Sequence, residues 1–339
     1  MKAAETLPSF AIHWARELGE NANSLERLQG GINNRVFRCG CGSQKFVIKG
    51  YAPAQPGKMD RMQVERQFLE FAVQVAPGFT PRILHSDPYH RCIIIENIAG
   101  KPFRKGTPPP DEAVRAAVRF IQLLNSDATL AREAIGVGAA EGFLSFSEHM
   151  ANIRSRLEKM SYEHVISKRR KEAKMLIKEI RAEAIRVEET VKKAVCQGSV
   201  VDAIRPIDRC VSPGDFGFHN AILTAAGVRF IDFEFAGWDD PAKTNLDFIL
   251  QPSIPIQSQE LPLLSAWKPK RRREIQMRCH YLAPILKIKW LCIILGVLNP
   301  TRAEQILRTL PEEEGFSLVS RQLEVAISYM SRLKIGQYK

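Results

Sequence analysis

Segments with the pattern of β-strands are concentrated in the first hundred residues of this 339-residue chain, and helical segments fill most of the remainder. Five short apolar or alternating segments predict strands, the first three forming a meander: residues 25–28, 35–38, 45–49, 81–85 and 92–95. Apolar residues at helical spacing predict one main helix among them, over residues 58–75. The sequence therefore predicts an α+β fold, in which residues 1–98 form a small antiparallel sheet with one main helix.

The rest of the chain, residues 99–339, is predicted to be a larger and mostly helical domain. Two charged helices are expected within residues 143–195, the first ending near residue 168 and the second beginning near residue 172. The second carries apolar residues three and four apart, a pattern typical of a helix with one buried face: Ala173, Leu176, Ile177, Ile180, Ala184, Val187 and Val191. Two further helices, over residues 303–310 and 316–333, are expected to end the chain.

The most apolar segment of the chain, residues 281–298, has the composition of a buried helix rather than of a membrane span. Pro284, Lys287 and Lys289 interrupt it, and the apolar run that remains is far shorter than the ~20 residues that a span requires. We therefore predict a core helix here and no transmembrane segment.

Composition is that of an ordinary globular protein in a reducing compartment. The chain is 45% apolar and 25% charged. Its first twenty residues carry polar and charged side chains too often to form the apolar part of a signal peptide. The seven cysteines are scattered, and Cys39-Gly40-Cys41, which has no second pair to complete a zinc site, is interpreted as a hairpin turn. We expect a cytoplasmic protein.

The net charge of +12 is compatible with nucleic acid, an anionic membrane surface or anionic ligands such as nucleotides. Much of the excess lies at residues 154–193 and 268–273, where aromatic side chains are sparse. Proteins that bind single-stranded nucleic acid interleave aromatic and basic residues, and no zinc-finger or RNA-binding signature is present. The pattern favours solvated helix faces, and no specific nucleic-acid partner is expected.

Three polar residues within residues 212–247 have the types and the spacing that phosphoryl transfer requires. Asp215 and Asn220 lie five residues apart in a predicted loop, and Asp232 follows twelve residues later, at the end of a predicted strand over residues 228–231. Mg²⁺ prefers hard oxygen ligands, which Asn220 and Asp232 supply. Asp215 then stands where a catalytic base would hold the acceptor hydroxyl, as in the pattern D-x-x-x-x-N followed by a strand-end Asp.

The letters Asp215-Phe216-Gly217 also spell the metal-binding triplet of protein kinases. However, no Asn precedes them at the required distance, and no strand is predicted directly before them. Asp232 fits the metal-binding position better because a predicted strand leads into it. Farther along, Glu234 and Asp240 are candidates for assisting a second Mg²⁺, with solvent-facing turn carboxylates as the commoner alternative.

His219 lies inside the predicted catalytic loop, next to Asn220. A lone histidine beside a metal-binding asparagine is more often a packing or hydrogen-bonding residue than a catalytic one. The sequence therefore assigns it no chemical role.

A glycine turn and a lysine in the first domain suit the binding of phosphates. Gly30, Gly31 and Asn33 lie in a turn whose backbone N–H groups can approach phosphate oxygens closely, although an ordinary hairpin turn has the same letters. Lys49 is the charged residue that follows Phe46-Val47-Ile48 on a strand expected to be largely buried. A lysine on such a strand can clamp phosphates when a carboxylate orients it.

Two residues on the predicted main helix compete for the role of orienting Lys49. Both are glutamates, and the spacing favours Glu65 over Glu70. Beyond this helix, the strand over residues 92–95 runs into a polar, glycine-ended linker. Backbone groups of Glu96 and Ile98 in that linker are predicted to hydrogen-bond an adenine edge, with an ordinary loop as the alternative.

These motifs together resemble the aminoglycoside phosphotransferase and choline kinase superfamily over roughly residues 25–250. The segments that carry the resemblance are Pro213 to Asn220, Phe230 to Glu234, Asp240-Pro241, Asp247, and, for the nucleotide half, Gly30-Gly31, Lys49, Glu65 and Glu96 to Ile98. The resemblance implies a protein-kinase-like fold of two lobes that moves the γ-phosphate of ATP to a small-molecule hydroxyl with Mg²⁺.

The resemblance also implies a role for each matching residue. Lys49 would contact the α- and β-phosphates, Glu65 would orient Lys49, and Asp215 would be the catalytic base. Asn220 and Asp232 would hold Mg²⁺. Asp247 would brace the catalytic loop from a following helix, and Asp240 would support the site from beyond the metal ligand.

One position departs from the family pattern. The superfamily usually has histidine two residues before the catalytic aspartate, where this chain has Pro213. That histidine mainly supports the loop, while the charged and amide groups that define the chemistry remain. Because an inactive relative would more typically have lost one of those groups, an active kinase is favoured over a nucleotide-binding pseudokinase or regulatory scaffold.

The sequence constrains the acceptor only through charge. A polycationic aminoglycoside would be attracted to an acidic lobe, whereas this chain is basic. A neutral or anionic acceptor, such as a sugar or a polysaccharide precursor, is therefore expected. A basic protein that binds nucleic acid or a membrane surface is the remaining alternative.

Overall fold

The computed structural model describes residues 8–28, 35–40, 45–163, 165, 167–256, 261–309 and 312–333. The chain divides into two compact units. The first unit is Met1–Gly142 with Cys210–Asp239, and the second is Phe143–Arg209 with Asp240–Lys339. The domain boundary that the sequence predicts near residue 98 falls inside the first unit. That boundary stays a prediction, since a compact unit is not the same as a lobe.

The first unit contains the antiparallel sheet that the sequence predicts. Its strands are β1 (Glu26–Arg27), β2 (Arg35–Cys39), β3 (Phe46–Gly50), β4 (Ile83–Asp87) and β5 (Cys92–Glu96). They lie in the order β1-β2-β3-β5-β4, and every neighbouring pair is antiparallel. β3 and β5 are central, which explains why Ile48, Cys92, Ile93 and Ile94 are buried. The predicted meander and the two later strands are confirmed.

Two helices pack against this sheet. Helix α1 (Ser9–Glu17) buries Ala11 and Ala15, and its Phe10 lies so close to β3 that a Cβ placed on Gly50 would be 2.3 Å from the Phe10 ring. Helix α2 (Arg61–Val75) is the predicted main helix. Asp60 caps its N-terminus, since the Asp60 side chain accepts a hydrogen bond from the backbone N–H of Met62 at 3.1 Å.

The remainder of the first unit surrounds a cluster of phenylalanines. Its helices are α3 (Asp111–Leu124) and α4 (Ala128–Ala134), and its strands are β6 (Lys101–Pro102), β7 (Cys210–Ser212), β8 (Ala221–Thr224), β9 (Gly227–Phe230) and β10 (Gly237–Asp239). β6, β8 and β9 form one small sheet, and β7 pairs with β10. The ring centroids of Phe120 and Phe230 lie 5.1 Å apart, and those of Phe216 and Phe230 lie 4.9 Å apart.

Of these later strands, the sequence predicts only β9. The expectation that no strand precedes Asp215 is wrong, because β7 ends at Ser212, three residues before it. Strands of two to four residues are too short to show an alternating pattern, and they form here because partners distant in sequence pair with them.

The second unit is helical over the residues that the structure describes. Its helices are α5 (Phe146–Glu158), α6 (Ser167–Cys196), α7 (Pro241–Leu250), α8 (Pro269–Ile294), α9 (Pro300–Thr309) and α10 (Glu312–Leu333). A capping box fixes the start of α5, since the Ser145 and Glu148 side chains bond each other's backbone N–H. The seven apolar residues predicted as the buried face of α6 are all buried.

Helix α8 contains the apolar segment that resembles a membrane span. Residues Pro269–Leu298 are, within the described parts of the chain, the one helical segment long and apolar enough to cross a membrane. Two-thirds of its apolar window (67%) is buried inside the protein, which fits the predicted core helix. Pro284 lies inside α8, and the helix continues through it.

Substitutions on α6 test whether its apolar stripe carries stability. Ile180 is 1% exposed and Ile185 is 60% exposed on the same helix. We expect Ile180→Ala to lower the free energy of unfolding by about 2–5 kcal/mol, because it leaves a cavity. The matched variant Ile185→Ala should change it by less than about 0.5 kcal/mol. Urea titrations followed by circular dichroism give both values, and equal losses would contradict the assignment of faces.

Candidate active site

A buried lysine between two carboxylates lies at the centre of the first unit. Lys49 Nζ, in the middle of the sheet on β3, donates to Glu65 Oε2 on α2 at 2.5 Å and to Asp232 Oδ1 at 2.5 Å. The same Glu65 oxygen accepts a hydrogen bond from Tyr51 Oη at 2.8 Å, and Glu65 Oε1 accepts one from the Phe233 N–H at 3.3 Å. One ion cluster therefore joins the sheet, the main helix and the segment after β9.

The two carboxylates keep Lys49 charged although its side chain is only 6% exposed. Burial alone lowers the pKa of a lysine, but the negative charges of Glu65 and Asp232 outweigh it and raise the Lys49 pKa above its ordinary value. Burial, reinforced by the Glu65 charge, raises the pKa of Tyr51 well above its usual range, so its hydroxyl stays a hydrogen-bond donor. The Lys49 ammonium group is thus held charged and in a fixed position by its two partners.

The structure distinguishes the two glutamates proposed as partners of Lys49. Glu65 is 1% exposed and contacts Lys49 directly. The Glu70 side chain is 50% exposed and pairs with Arg66 one helical turn earlier, at 3.2 Å. Glu65 is therefore the partner of Lys49, as the spacing predicted.

The predicted catalytic loop follows β7 and is held by close backbone packing. Gly214 has a φ of 84°, and a Cβ placed on it would lie 2.4 Å from the Phe235 carbonyl oxygen, so only glycine fits. The Gly214 N–H donates to Ser212 Oγ at 3.2 Å. Pro213 between them is buried. These contacts hold the loop in place, although Pro213 stands where the superfamily that this sequence resembles usually has a histidine.

Two side chains contact Asp215, the predicted base. Asn220 Nδ2 donates to the Asp215 carbonyl oxygen at 2.9 Å, and His219 Nε2 lies 3.1 Å from Asp215 Oδ1. The Asp215 side chain is 42% exposed, so solvent and small molecules can reach it. His219 is thus a hydrogen-bonding residue, as its sequence context favoured. Its partner was not predicted, because the contact depends on the short 3-10 turn Phe218–Asn220 that brings the ring back to Asp215.

The hairpin of β8 and β9 brings Asn220 and Asp232 together. Ala221 pairs with Phe230 across the hairpin, and the Ile231 N–H donates to the Asn220 carbonyl oxygen at 2.9 Å. Asp232, the next residue, has a φ of 69°, a strained conformation for a side-chain-bearing residue that is common at functional sites. The backbone of Asn220 therefore lies beside that of Ile231, one residue before Asp232, and an amide with a carboxylate is a donor set that fits Mg²⁺.

The parts predicted to bind the nucleotide are only partly described. Gly30, Gly31 and Asn33 lie outside the described residues. The Glu96 N–H donates to the Arg82 carbonyl oxygen at 2.9 Å, and its side chain accepts a hydrogen bond from Arg229 at 3.1 Å. An adenine contact from Glu96 would therefore use its carbonyl oxygen. The predicted roles of Glu96 and Ile98 stay predictions.

The acidic residues after Asp232 are buried, so the expectation of solvent-facing turn carboxylates is wrong for them. Glu234 is 3% exposed and lies 3.6 Å from Arg61 in the first unit. Asp240 is fully buried in the second unit, where it caps α7 by accepting a hydrogen bond from the Ala242 N–H at 2.8 Å and pairs with Arg278. Asp240 thus has a clear structural role, and its support of the site stays a prediction.

Asp247 lies on the helix after Asp240, as the resemblance implies, and forms a buried ion cluster there. Its carboxylate accepts from Lys289 Nζ at 2.9 Å and from Lys243 Nζ at 3.1 Å. Burial raises the pKa of Asp247, but the charges of Lys289 and Lys243 outweigh burial and hold the pKa at about 2. Its predicted contact with the catalytic loop stays a prediction.

The chain has the α+β, two-lobed fold of protein-kinase-like enzymes that act on small molecules. Residues 24–243, more than half of the sequence, match the model of the phosphotransferase enzyme family. The chain belongs to that family. No curated protein matches it significantly in sequence.

Solved structures with the same fold cover nearly the whole chain at low identity. A choline kinase from Cryptosporidium parvum is 11% identical with a TM-score of 0.59, the match covering 96% of this chain and 95% of that one. A choline/ethanolamine kinase family protein from Mesorhizobium loti is 17% identical with a TM-score of 0.55, covering 93% and 90%. A spectinomycin phosphotransferase complexed with ADP and spectinomycin is 11% identical with a TM-score of 0.56, covering 94% and 98%.

The low pKa of Asp247 predicts how acid weakens the protein. Because the folded pKa of about 2 lies below the unfolded value of about 3.9, the contribution is complete above about pH 4 and is lost as the pH falls through about 2. We expect Asp247→Asn to reduce the free energy of unfolding by ~3–5 kcal/mol at pH 7. The deficit relative to wild type should shrink by on the order of 2 kcal/mol toward pH 2.

Chemical unfolding across this pH range measures the deficit. Asp111→Asn is the control, since Asp111 is exposed at the start of α3. A deficit that stays constant from pH 7 to pH 2 would contradict the assigned ion cluster.

Proposed function

We propose that the protein is a small-molecule kinase that transfers the γ-phosphate of ATP to a hydroxyl group, with Mg²⁺. The observation that carries the proposal is the cluster in which Lys49 lies between Glu65 and Asp232, with Asn220 held next to Asp232. Such a cluster places the charged Lys49 ammonium beside oxygen ligands for a metal. Phosphoryl transfer needs that combination, because catalysis depends on positioning and charge neutralisation.

Each residue of the cluster has a separate task. Lys49 contacts the α- and β-phosphates, and Glu65 and Tyr51 hold the lysine in place. We assign Asp232 and the amide oxygen of Asn220 as ligands of Mg²⁺, which when bound neutralises charge on the phosphate oxygens. The backbone of Gly30, Gly31 and Asn33 is assigned to the phosphates and the linker at Glu96 and Ile98 to adenine, both from the sequence motifs.

Asp215 accepts the proton of the acceptor hydroxyl. Its partly exposed carboxylate suits contact with a small molecule, and two neighbours fix its orientation. Asn220 bonds its carbonyl oxygen, and His219 in the Nε2–H form donates to Oδ1. In this proposal His219 is a positioning residue, and the close packing of Gly214 on Phe235 supplies the loop support that a histidine at Pro213 would otherwise give.

The acceptor is proposed to be neutral or anionic, such as a sugar or a polysaccharide precursor. The net charge of +12 disfavours a polycationic acceptor, and the acidic residues Asp240 and Asp247 are neutralised by buried basic partners. We place the activity in the cytoplasm, which suits the cysteines that form no disulfide in the described part of the chain: Cys39, Cys92, Cys196, Cys210, Cys279 and Cys292.

A nucleotide-binding pseudokinase is the second candidate function, because Pro213 departs from the family pattern. Against it, the lysine, both of its carboxylates, the predicted base and the amide ligand are all present. A pseudokinase would bind ATP without consuming it, so the same assay distinguishes the two candidates.

Removing the base or the metal ligand should abolish turnover. With a panel of hydroxyl metabolites as acceptors, we expect the wild-type protein to form ADP in a Mg-dependent reaction. Asp215→Ala and Asp232→Ala should lower the rate of ADP formation at least about 100-fold, because a general base contributes about 10²–10⁴-fold to the rate. Asp111→Ala, at an exposed position of α3, is the matched control and should keep full activity. ATP binding without acceptor-dependent ADP would favour the pseudokinase instead.

The proposed role of His219 predicts an effect on kcat alone. A hydrogen bond to a charged group contributes about 1.5–3 kcal/mol, so His219→Ala should lower kcat roughly 10- to 100-fold and leave KM for ATP unchanged. His219→Gln, whose amide can donate to Asp215, should recover part of the loss. Equal kcat values in both variants and the wild type would show that the contact has no role in catalysis.

A further inference from the structure

A second group of side chains with ligand chemistry lies in the first unit, apart from the proposed magnesium ligands. His13 on α1, Asp87 at the end of β4 and His90 in the following turn each direct one ligand atom into a common region, with these atoms all within 4.8 Å of one another. The His13 and His90 rings are stacked, their centroids 4.5 Å apart. We propose that these residues bind a divalent transition-metal ion of the zinc type.

The ligand set selects the class of metal. Two imidazole nitrogens and one carboxylate oxygen are typical of Zn²⁺ and its neighbours in the first transition row, whereas Mg²⁺ and Ca²⁺ take oxygen ligands. The site therefore differs in chemistry from Asn220 and Asp232, which offer oxygen only. Three protein ligands leave one position for water, as in zinc sites that are not closed by four side chains.

The protein holds these ligands in place without the ion. Helix α1 is fixed by apolar packing of Ala15 against Ile48 and Cys92 of the sheet, which sets the position of His13. The Asp87 carboxylate accepts hydrogen bonds from Trp14 Nε1 at 2.8 Å and from the His90 N–H at 3.0 Å. Outer hydrogen bonds of this kind orient the ligands of metal sites and strengthen their binding.

An ion can reach the group and has a place to bind. The side chains of His90 and Asp87 are 27% and 12% exposed, and His13 is partly buried. His90 Nδ1 lies 2.6 Å from Asp87 Oδ2, within hydrogen-bond distance. A metal ion bound to both groups would take the place of that hydrogen bond, and His13 would complete the set.

Binding at this position would fasten α1 to the β4–β5 hairpin. The two attachments are far apart in the chain, so a metal bond between them stabilises the folded state over the unfolded one. Fixing α1 would also affect the strand that carries Lys49. Phe10 of α1 packs on Gly50, and Gly50 follows Lys49 on β3. We therefore expect the bound metal to stabilise the docking of α1 on the sheet.

Direct metal binding tests the proposal without any activity assay. The full chain, without a histidine tag, is stripped of metal, kept reduced, and titrated with Zn²⁺ in excess Mg²⁺, which occupies the oxygen sites. We expect one tight equivalent, and a rise in melting temperature with zinc. His13→Ala and His90→Ala should weaken binding at least about tenfold, the loss that even an outer hydrogen-bond partner causes. His13→Ala keeps a good helix former on α1 and should remain folded.

His280→Ala is the matched control, since His280 is an exposed histidine on α8. It should bind zinc as the wild type does. Co²⁺ serves as a spectroscopic probe: visible bands without a thiolate charge-transfer band support nitrogen and oxygen ligation. Absence of tight binding, equal affinity in wild type and His13→Ala, or a thiolate band that assigns the ion to cysteine would each overturn the proposal.

Discussion

The charge of Lys49 and the two carboxylates that surround it are the interaction on which the first unit depends. A lysine inside a sheet is costly unless its charge is paired, and Glu65 and Asp232 pair it from a helix and from the segment after β9. Removing Lys49 would leave the buried Glu65 and its neighbour Asp232 without their shared positive charge. The cluster therefore fixes the relative positions of three elements, and the same positions suit the binding of phosphates and a metal ion.

Buried charges also organise the second unit. Arg278 on α8 pairs with Asp240 and donates to the carbonyl oxygens of Val201, Asp202 and Leu144. Asp247 is shared by Lys243 and Lys289. Each charge has partners that replace its lost water, so the network specifies how α7 and α8 lie against each other rather than simply adding stability. Helices α7 and α8 are thus positioned by ion pairs as well as by apolar packing.

The fold class and the contact of Lys49 with Glu65 in the candidate site could be predicted from the sequence because their signals are local. Alternating strands and helical stripes gave β2, β3, β5 and the buried face of α6. The spacing of Glu65 from Lys49 identified the carboxylate that contacts the lysine. These features follow from periodicity and from the distance between consecutive elements, and both can be measured along one chain.

Other features depend on contacts between distant residues and could not be predicted. β7 forms because β10 pairs with it, and Glu234 is buried because Arg61 and the surrounding core cover it. The contact of His219 with Asp215 requires the 3-10 turn between them. His13 lies near Asp87 and His90 because α1 packs on the sheet, although more than seventy residues separate it from them in the chain. No local sequence pattern predicts this group.

Transfer of labelled phosphate tests the central claim most directly. The protein is incubated with Mg²⁺, ATP labelled at the γ-phosphate and a mixture of small hydroxyl metabolites, and the products are separated. The account predicts label in a small molecule with the wild-type protein and none with Lys49→Met, which has a side chain of similar length without the charge. Label that remains in ATP or appears only as inorganic phosphate, while ATP still binds, would contradict it.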